Sequence, residues 1–186
     1  MIIDHEKKLI FICPPKTGTT SLRNALKDQP GVEIFRGPLR HMQFKECLSV
    51  VKKEKLSDYE TCAVIRHPVD KLISWFQYRS RPQLAGKPRY VGDMSFKEFI
   101  KSHEGDFKKY SDKRFVEHEE QECSLIFKYE NFGLFLNFFN FHYPDIELSH
   151  LNQSEKRQIK VTDYEFATLA LEQEVNWYDK VMEKTH

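Results

Sequence analysis

The stretch Ile10-Phe-Ile-Cys-Pro-Pro-Lys-Thr-Gly-Thr-Thr-Ser21 decides the reading of this chain. An apolar strand runs into a turn rich in Pro, Lys, Gly and Thr, and Leu22-Arg-Asn-Ala-Leu26 then reads as a helix. The first N–H groups of a helix lack carbonyl partners, the macrodipole adds partial positive charge there, and glycine lets the backbone curl close to a ligand. Pro15, Lys16, Thr17, Gly18, Thr19, Thr20 and Ser21 are therefore expected to bind a phosphate-like anion. The nucleotide P-loop, G-x-x-x-x-G-K-[ST], needs Lys directly after its second Gly, where this chain has Thr19. Its Lys is Lys16, two residues before Gly18, placed to point at the bridging region of a donor instead of its terminal phosphate oxygens. The strand Tyr59-Glu-Thr-Cys-Ala-Val-Ile-Arg66 ends in Arg where an ATPase places a carboxylate for Mg²⁺, so a metal-free donor fits better than ATP·Mg.

Two motifs together carry a family resemblance. Pro14-Pro-Lys-Thr-Gly-Thr-Thr-Ser-Leu22 resembles the 5′-phosphosulfate loop of sulfotransferases, and Val64-Ile-Arg-His-Pro-Val-Asp-Lys-Leu-Ile-Ser-Trp-Phe76 resembles their 3′-phosphate motif, in the form typical of carbohydrate sulfotransferases. The family's usual Arg at the place of Lys71 is here Lys. The resemblance implies 3′-phosphoadenosine 5′-phosphosulfate (PAPS) as co-substrate, 3′-phosphoadenosine 5′-phosphate (PAP) as product and no metal. It also implies an α/β sulfotransferase fold, a P-loop-like parallel sheet flanked by helices. At 186 residues the chain is one domain's worth, which gives a single sulfotransferase domain over residues 1–186.

The chemistry of such a donor asks for two anion sites, one for the 5′ phosphosulfate that is split and one for the 3′ phosphate that serves as a handle. The loop at 15–21 supplies the first. Arg66, with its planar fork of donors, and Ser74, two helical turns further on in the helix that Pro68 starts, are assigned to the second. Taken singly, each feature also has a structural explanation: a simple turn, an ion-pair partner, a helix-surface hydroxyl.

Sulfuryl transfer to an alcohol needs a base for the hydroxyl proton, and a His near the donor sulfur is the natural choice. Of the eight His residues, His41 lies in the loop after the second predicted strand, where a parallel sheet opens its ligand crevice, and Leu39-Arg-His-Met42 matches a His found there in several carbohydrate-type sulfotransferases. His41 and Lys16 are the candidate catalytic residues; the alternative for His41 is a capping or surface role ahead of the next helix. His67 belongs to the nucleotide motif and is read as orienting that loop.

Composition narrows the remaining possibilities. Lys and Arg total 29 against 28 Asp and Glu, a balance that argues against a general nucleic-acid or anionic-membrane binder. No run approaches the ~18–20 apolar residues of a membrane span. Met1-Ile-Ile-Asp-His-Glu-Lys-Lys8 lacks the apolar centre of a signal peptide, so a cytoplasmic location is expected. Cys13, Cys47, Cys62 and Cys123 have no C-x-x-C spacing and read as reduced, buried thiols, while His118-Glu-Glu-Gln-Glu-Cys123 reads as solvated surface rather than a metal site.

Along the chain the expected elements are strands at 8–13, 32–35, 60–66 and 123–129, and helices at 19–28, 42–54, 69–79, 131–141 and 163–183. Alternating strands and helices imply a doubly wound α/β domain. Capping boxes are expected at Ser95/Glu98 and Thr162/Glu165, and the five Phe between Asn131 and Phe141 as core packing. Residues 79–94, with Arg79, Arg81, Lys87 and Arg89, are the candidate for an acceptor lid, the alternative being an ordinary surface loop. His150 to Arg157 resembles the C-terminal region of carbohydrate-type sulfotransferases that returns toward the nucleotide, and leaves two readings open for Lys156 and Arg157, contact with the donor or a solvated helix start. The acceptor implied by the resemblance is a hydroxylated molecule, a saccharide first. Two further functions stay open at this point: a small nucleotide or metabolite kinase with an altered P-loop, and an inactive PAP-binding module.

Overall fold

The chain begins with a strand beyond those expected from the sequence. Ile2–Asp4 (β1) pairs antiparallel with Leu9–Ile12 (β2) through a four-residue connection, in the register Ile2 to Phe11 and Asp4 to Leu9. The connection is organised by Asp4, whose Oδ1 accepts the N–H groups of Glu6 (3.0 Å) and Lys7 (2.8 Å), while its Oδ2 accepts the hydroxyl of Tyr143 at 2.7 Å. A short polar side chain that satisfies the backbone two and three residues on is a turn device, and burying it costs little because both oxygens are bonded.

The computed structural model describes residues 1–51, 56–148 and 158–181. These fall into two compact units, one of residues 1–66 and 112–148 and the other of residues 67–111 and 158–181. After β2 the chain continues through α1 (Thr19–Leu26), β3 (Val32–Ile34), α2 (Phe44–Val50), β4 (Glu60–Ile65), α3 (Pro68–Arg79), α4 (Phe96–Lys101), α5 (Lys113–Val116), β5 (Glu117–His118), β6 (Gln121–Glu122), β7 (Leu125–Lys128), α6 (Phe132–His142), α7 (Val161–Ala170) and α8 (Glu172–Lys180).

In the first unit the sheet order is β3-β1-β2-β4-β7. Strands β2, β4 and β7 are parallel, whereas β1 runs antiparallel to both β2 and β3, so the expected parallel sheet is corrected to a mixed one. The reason is local: β1 precedes β2 by only four residues, and so short a connection permits an antiparallel neighbour but not a crossover. The central strands are buried on both faces. Leu9, Phe11, Cys62, Val64, Leu125 and Phe127 share a core with Leu22 and Leu26 of α1 and Phe135 and Phe139 of α6, and the alternating residues Ile10, Ile12, Ala63, Ile65 and Ile126 are buried as well. Each of the Val, Leu, Ile and Phe side chains among them contributes roughly 1.5–3 kcal/mol by leaving water. Of the five Phe expected to pack, four join or touch this core and Phe141 is 82% exposed. All four cysteines are buried and unbridged.

In the second unit α3 starts at Pro68, whose fixed φ suits the first helical position, and buries Val69, Leu72 and Phe76 along one face. The Ser95/Glu98 capping box at the head of α4 is formed. The expected helix at 163–183 is instead two helices. Val161–Ala170 is capped by Lys160, which puts Thr162 and Glu165 inside it, and the helix breaks at Leu171 (φ −107°, ψ 21°), a fully buried core residue. Leaving helical dihedrals there lets Leu171 and Ala167 both pack with Phe96, Phe99 and Tyr110. Of the expected lid, Arg79 ends α3 and residues 80–94 hold only a 3₁₀ turn, Pro82–Leu84, among irregular backbone. The end of the expected 42–54 helix, and Lys156 and Arg157, lie outside the described residues. No helix among the described residues is long and apolar enough to cross a membrane, and none of their His, Cys, Asp and Glu side chains gather in groups of three suited to a metal.

Candidate functional site

Between β2 and α1 the chain leaves the sheet at Cys13, and Pro14 and Pro15, which have no N–H, prevent the strand from continuing its ladder. Two residues then take left-handed backbone: Lys16 with φ +72° and Gly18 with φ +80°. For Gly18 this is free of steric cost, but for Lys16 it costs about 1–2 kcal/mol, which the surrounding contacts must hold in place. Two of those contacts are visible. Thr17, buried, donates its hydroxyl to the Pro14 carbonyl at 2.9 Å from within the loop. From across the sheet edge, Arg66 Nη1 donates to the Lys16 carbonyl at 3.1 Å.

Gly18 is the N-cap of α1. Its carbonyl accepts the Ser21 N–H at 3.0 Å and the Leu22 N–H at 3.4 Å, no side chain caps the helix, and no acidic residue sits in its first turn. The helix start therefore keeps its positive electrostatic end for an outside anion. Pro15, Lys16, Gly18 and Thr19 are half-buried, Thr20 is exposed, and Ser21 is buried with Thr17. Ser21 thus belongs to the underside of the turn. A small cleft behind the loop is lined by Thr17, Gly18, Thr19, Val64, Phe132 and Phe135.

His41 ends a 3₁₀ turn, Gly37–His41, in place of the irregular loop expected after the second predicted strand. Its Nδ1 lies 2.6 Å from the carbonyl oxygen of Cys13, the residue immediately before the anion loop. A carbonyl only accepts, so Nδ1 carries the hydrogen, and in the neutral ring Nε2 is the basic nitrogen. Burial pulls the imidazole below its ordinary value of 6.5, the bond to Cys13 opposes that, and the charges of Arg40, the Met1 amino group and Arg23 add to the lowering. His41 is consequently neutral and basic at neutral pH. The structure brings His41, Lys16 and the 15–21 loop to the same end of β2.

Arg66 follows β4 at the carboxyl end of the parallel strands. Its backbone N–H donates to Asp112 Oδ2 at 3.0 Å, and its guanidinium carbon lies 4.5 Å from the centre of the Tyr129 ring, within cation–π range. Asp112 and Tyr129 were missed in the sequence. Tyr129 carried a usable signal, since it directly follows a parallel strand at the edge where ligand crevices form; Asp112 carried none. Ser74 lies half-buried on α3 in the second unit. Lys71 on the same helix is fully buried, and the carbonyl of His67 accepts its backbone N–H at 2.9 Å.

Of the basic residues in the expected lid, Arg79 is already engaged: Nη1 lies 3.2 Å from His103 Nε2 and its guanidinium sits 5.1 Å from the Trp75 ring. Arg81 sits over Tyr78 at 5.0 Å, whereas Lys87 and Arg89 are exposed.

Against known families, the sulfotransferase family model matches residues 1–153, which includes the anion loop, His41 and Arg66. The chain belongs to the sulfotransferase family. It is thereby a transferase of the sulfuryl-transfer type. Searches of curated proteins and of solved structures returned no match. For a sulfotransferase, a mixed α/β sheet with parallel central strands and flanking helices is the expected general architecture.

Proposed function

We propose that this sulfotransferase, as a single domain over residues 1–186, uses PAPS as co-substrate and sulfates a hydroxyl acceptor, a saccharide first, with His41 as base. The observation that carries the reading is the bond from His41 Nδ1 to the Cys13 carbonyl, which supports a neutral imidazole with Nε2 as its basic atom beside an uncapped, anion-seeking helix start. In the reaction the acceptor oxygen attacks sulfur in line, its proton passes to His41 Nε2, an S–O bond forms, and the bond from sulfur to the bridging oxygen of the 5′ phosphate breaks. Lys16 and the loop amides stabilise the negative charge on the departing phosphate, the kind of preorganised electrostatic help that dominates such steps. Arg66 and Ser74, assigned by the 3′-phosphate motif, bind the handle that leaves with PAP.

Calorimetric titration with PAP, ADP and ATP, each with and without Mg²⁺, tests the reading. Tight, EDTA-insensitive binding of PAP is expected. Preference for ATP·Mg would replace it with the kinase with an altered P-loop, and PAP binding with no sulfation of any saccharide hydroxyl offered would replace it with an inactive PAP-binding module.

A further inference from the structure

The residue that the motif gives to the 3′ phosphate touches the other anion site. Arg66 Nη1 donates to the carbonyl of Lys16, the strained left-handed residue in the middle of the 5′ loop. In a trans peptide the carbonyl and the next N–H point in opposite directions, so holding the Lys16 oxygen toward Arg66 also fixes the Thr17 N–H on the far side. Arg66 is itself held from two directions, by its backbone bond to Asp112 and by the face of Tyr129. Tyr129 also stands beside the loop, its ring edge being 3.9 Å from where a Cβ added to Gly18 would stand.

We infer that Arg66, seated on Tyr129, braces the 5′-phosphosulfate loop, so that one guanidinium couples the two ends of the donor and Tyr129 acts as its positioning residue. This rests on the PAPS reading for the identity of the ligand but not for the brace itself. The guanidinium has enough donors for both tasks: with Nη1 on Lys16, Nη2 is left to meet an anion. A residue that only read the 3′ group would be indifferent to nucleotides that lack it. A brace would not, because a strained loop relaxes when the contacts that over-determine it are removed.

The test uses adenosine 5′-phosphosulfate, which has no 3′ phosphate, beside PAP. Arg66→Ala is expected to weaken adenosine 5′-phosphosulfate by roughly tenfold, the size of one lost charge-assisted hydrogen bond, and PAP by more. Arg66→Lys keeps the positive charge but not the fork, so it should recover part of the PAP affinity and none of the other. Tyr129→Leu should weaken adenosine 5′-phosphosulfate several-fold, and Tyr129→Phe, which keeps the ring, should restore it. In the ligand-free protein, amide hydrogen exchange at Lys16, Thr17 and Gly18 should be faster in Arg66→Ala and Tyr129→Leu than in wild type, with the amides of β4 and β7 unchanged. Adenosine 5′-phosphosulfate bound within twofold of wild type by Arg66→Ala, or unchanged loop exchange, overturns the brace. If wild-type protein binds neither nucleotide, the PAPS reading fails, and the exchange result alone decides the brace.

Discussion

Replacing His41 by Asn separates what its ring holds from what its ring does. The amide nitrogen of Asn stands close to where Nδ1 stands, so it can still donate to the Cys13 carbonyl, now made by the imidazole at 2.6 Å, and the start of the anion loop keeps its anchor. Nothing in Asn replaces the basic Nε2. Turnover should therefore fall by roughly 10²–10⁴-fold, the usual worth of a general base, which is about 3–5 kcal/mol of transition-state stabilisation, while PAP affinity stays near wild type. The pH profile supplies the second measurement. Burial outweighs the Cys13 bond and lowers the imidazole below 6.5, with Arg40, the Met1 amino group and Arg23 pushing the same way. In the proposed mechanism the neutral imidazole is the active form, so activity should be full above that lowered pKa and fall as pH drops through it. NMR titration of His41 in the free protein should give a midpoint on the acid side of 6.5, and the rising limb of kcat/KM should follow it. A donor bound with its negative charges favours the imidazolium and should move the limb of kcat upward from there. If His41→Asn keeps wild-type turnover and the same rising limb, the residue serves only to pin the loop, and another group takes the proton.

Lys16→Ala should lower kcat more than it raises the KM for PAPS, because its charge matters most as the bridging oxygen becomes negative; steady-state kinetics with a larger effect on KM would place Lys16 in ground-state binding instead. Gly18→Ala puts a Cβ only 3.8 Å from the nearest atom, Phe132 Cζ, so space is adequate and the cost is that of φ +80° alone, about 1–2 kcal/mol in urea unfolding; an unchanged midpoint would show that the turn relaxes without loss. Burial lowers the pKa of His41, His103 and His142 in the folded state. The unfolded chain then binds more protons than the folded one between the folded values and about 6.5, so stability is complete above that range and declines as pH falls through it. Urea midpoints equal at pH 7.5 and 5.5 would contradict this.

The strands β2, β4 and β7 were legible because strands buried on both faces need continuous apolar runs, and Leu9 to Ile12, Glu60 to Ile65 and Leu125 to Lys128 are bounded by turn residues and charge. β1 was not, since three residues, Ile2 to Asp4, are too few to show a period, and what makes them a strand is pairing with Phe11 and Ile34 on either side. The break at Leu171 was invisible for a related reason. Val161 to Lys180 contains neither Gly nor Pro to mark a break, and the need to bury Leu171 beside Ala167 in the second core interrupts it. In both cases long-range packing overrode a local pattern.

For the site, the sequence exposed what a motif encodes and hid what the fold adds. The order Lys16-Thr-Gly18 at a strand-to-helix junction announces an anion loop, yet the strain at Lys16 cannot be read from it, because any non-Gly residue is expected to avoid φ +72°. That residue takes the conformation because Thr17 closes on Pro14 and Arg66 holds the Lys16 oxygen, contacts spanning three and fifty positions of sequence. The same holds for His41: its place after the second predicted strand nominated it, but its protonation state follows from a carbonyl twenty-eight residues away. The His41 tautomer and the hold on the loop are therefore set by two backbone acceptors, the carbonyls of Cys13 and Lys16, which any side chain at those positions would leave in place. A change such as Cys13→Ser would leave the carbonyl and the His41 tautomer in place, whereas moving the backbone at Pro14 or Pro15 would disturb both His41, the proposed base, and the loop at once.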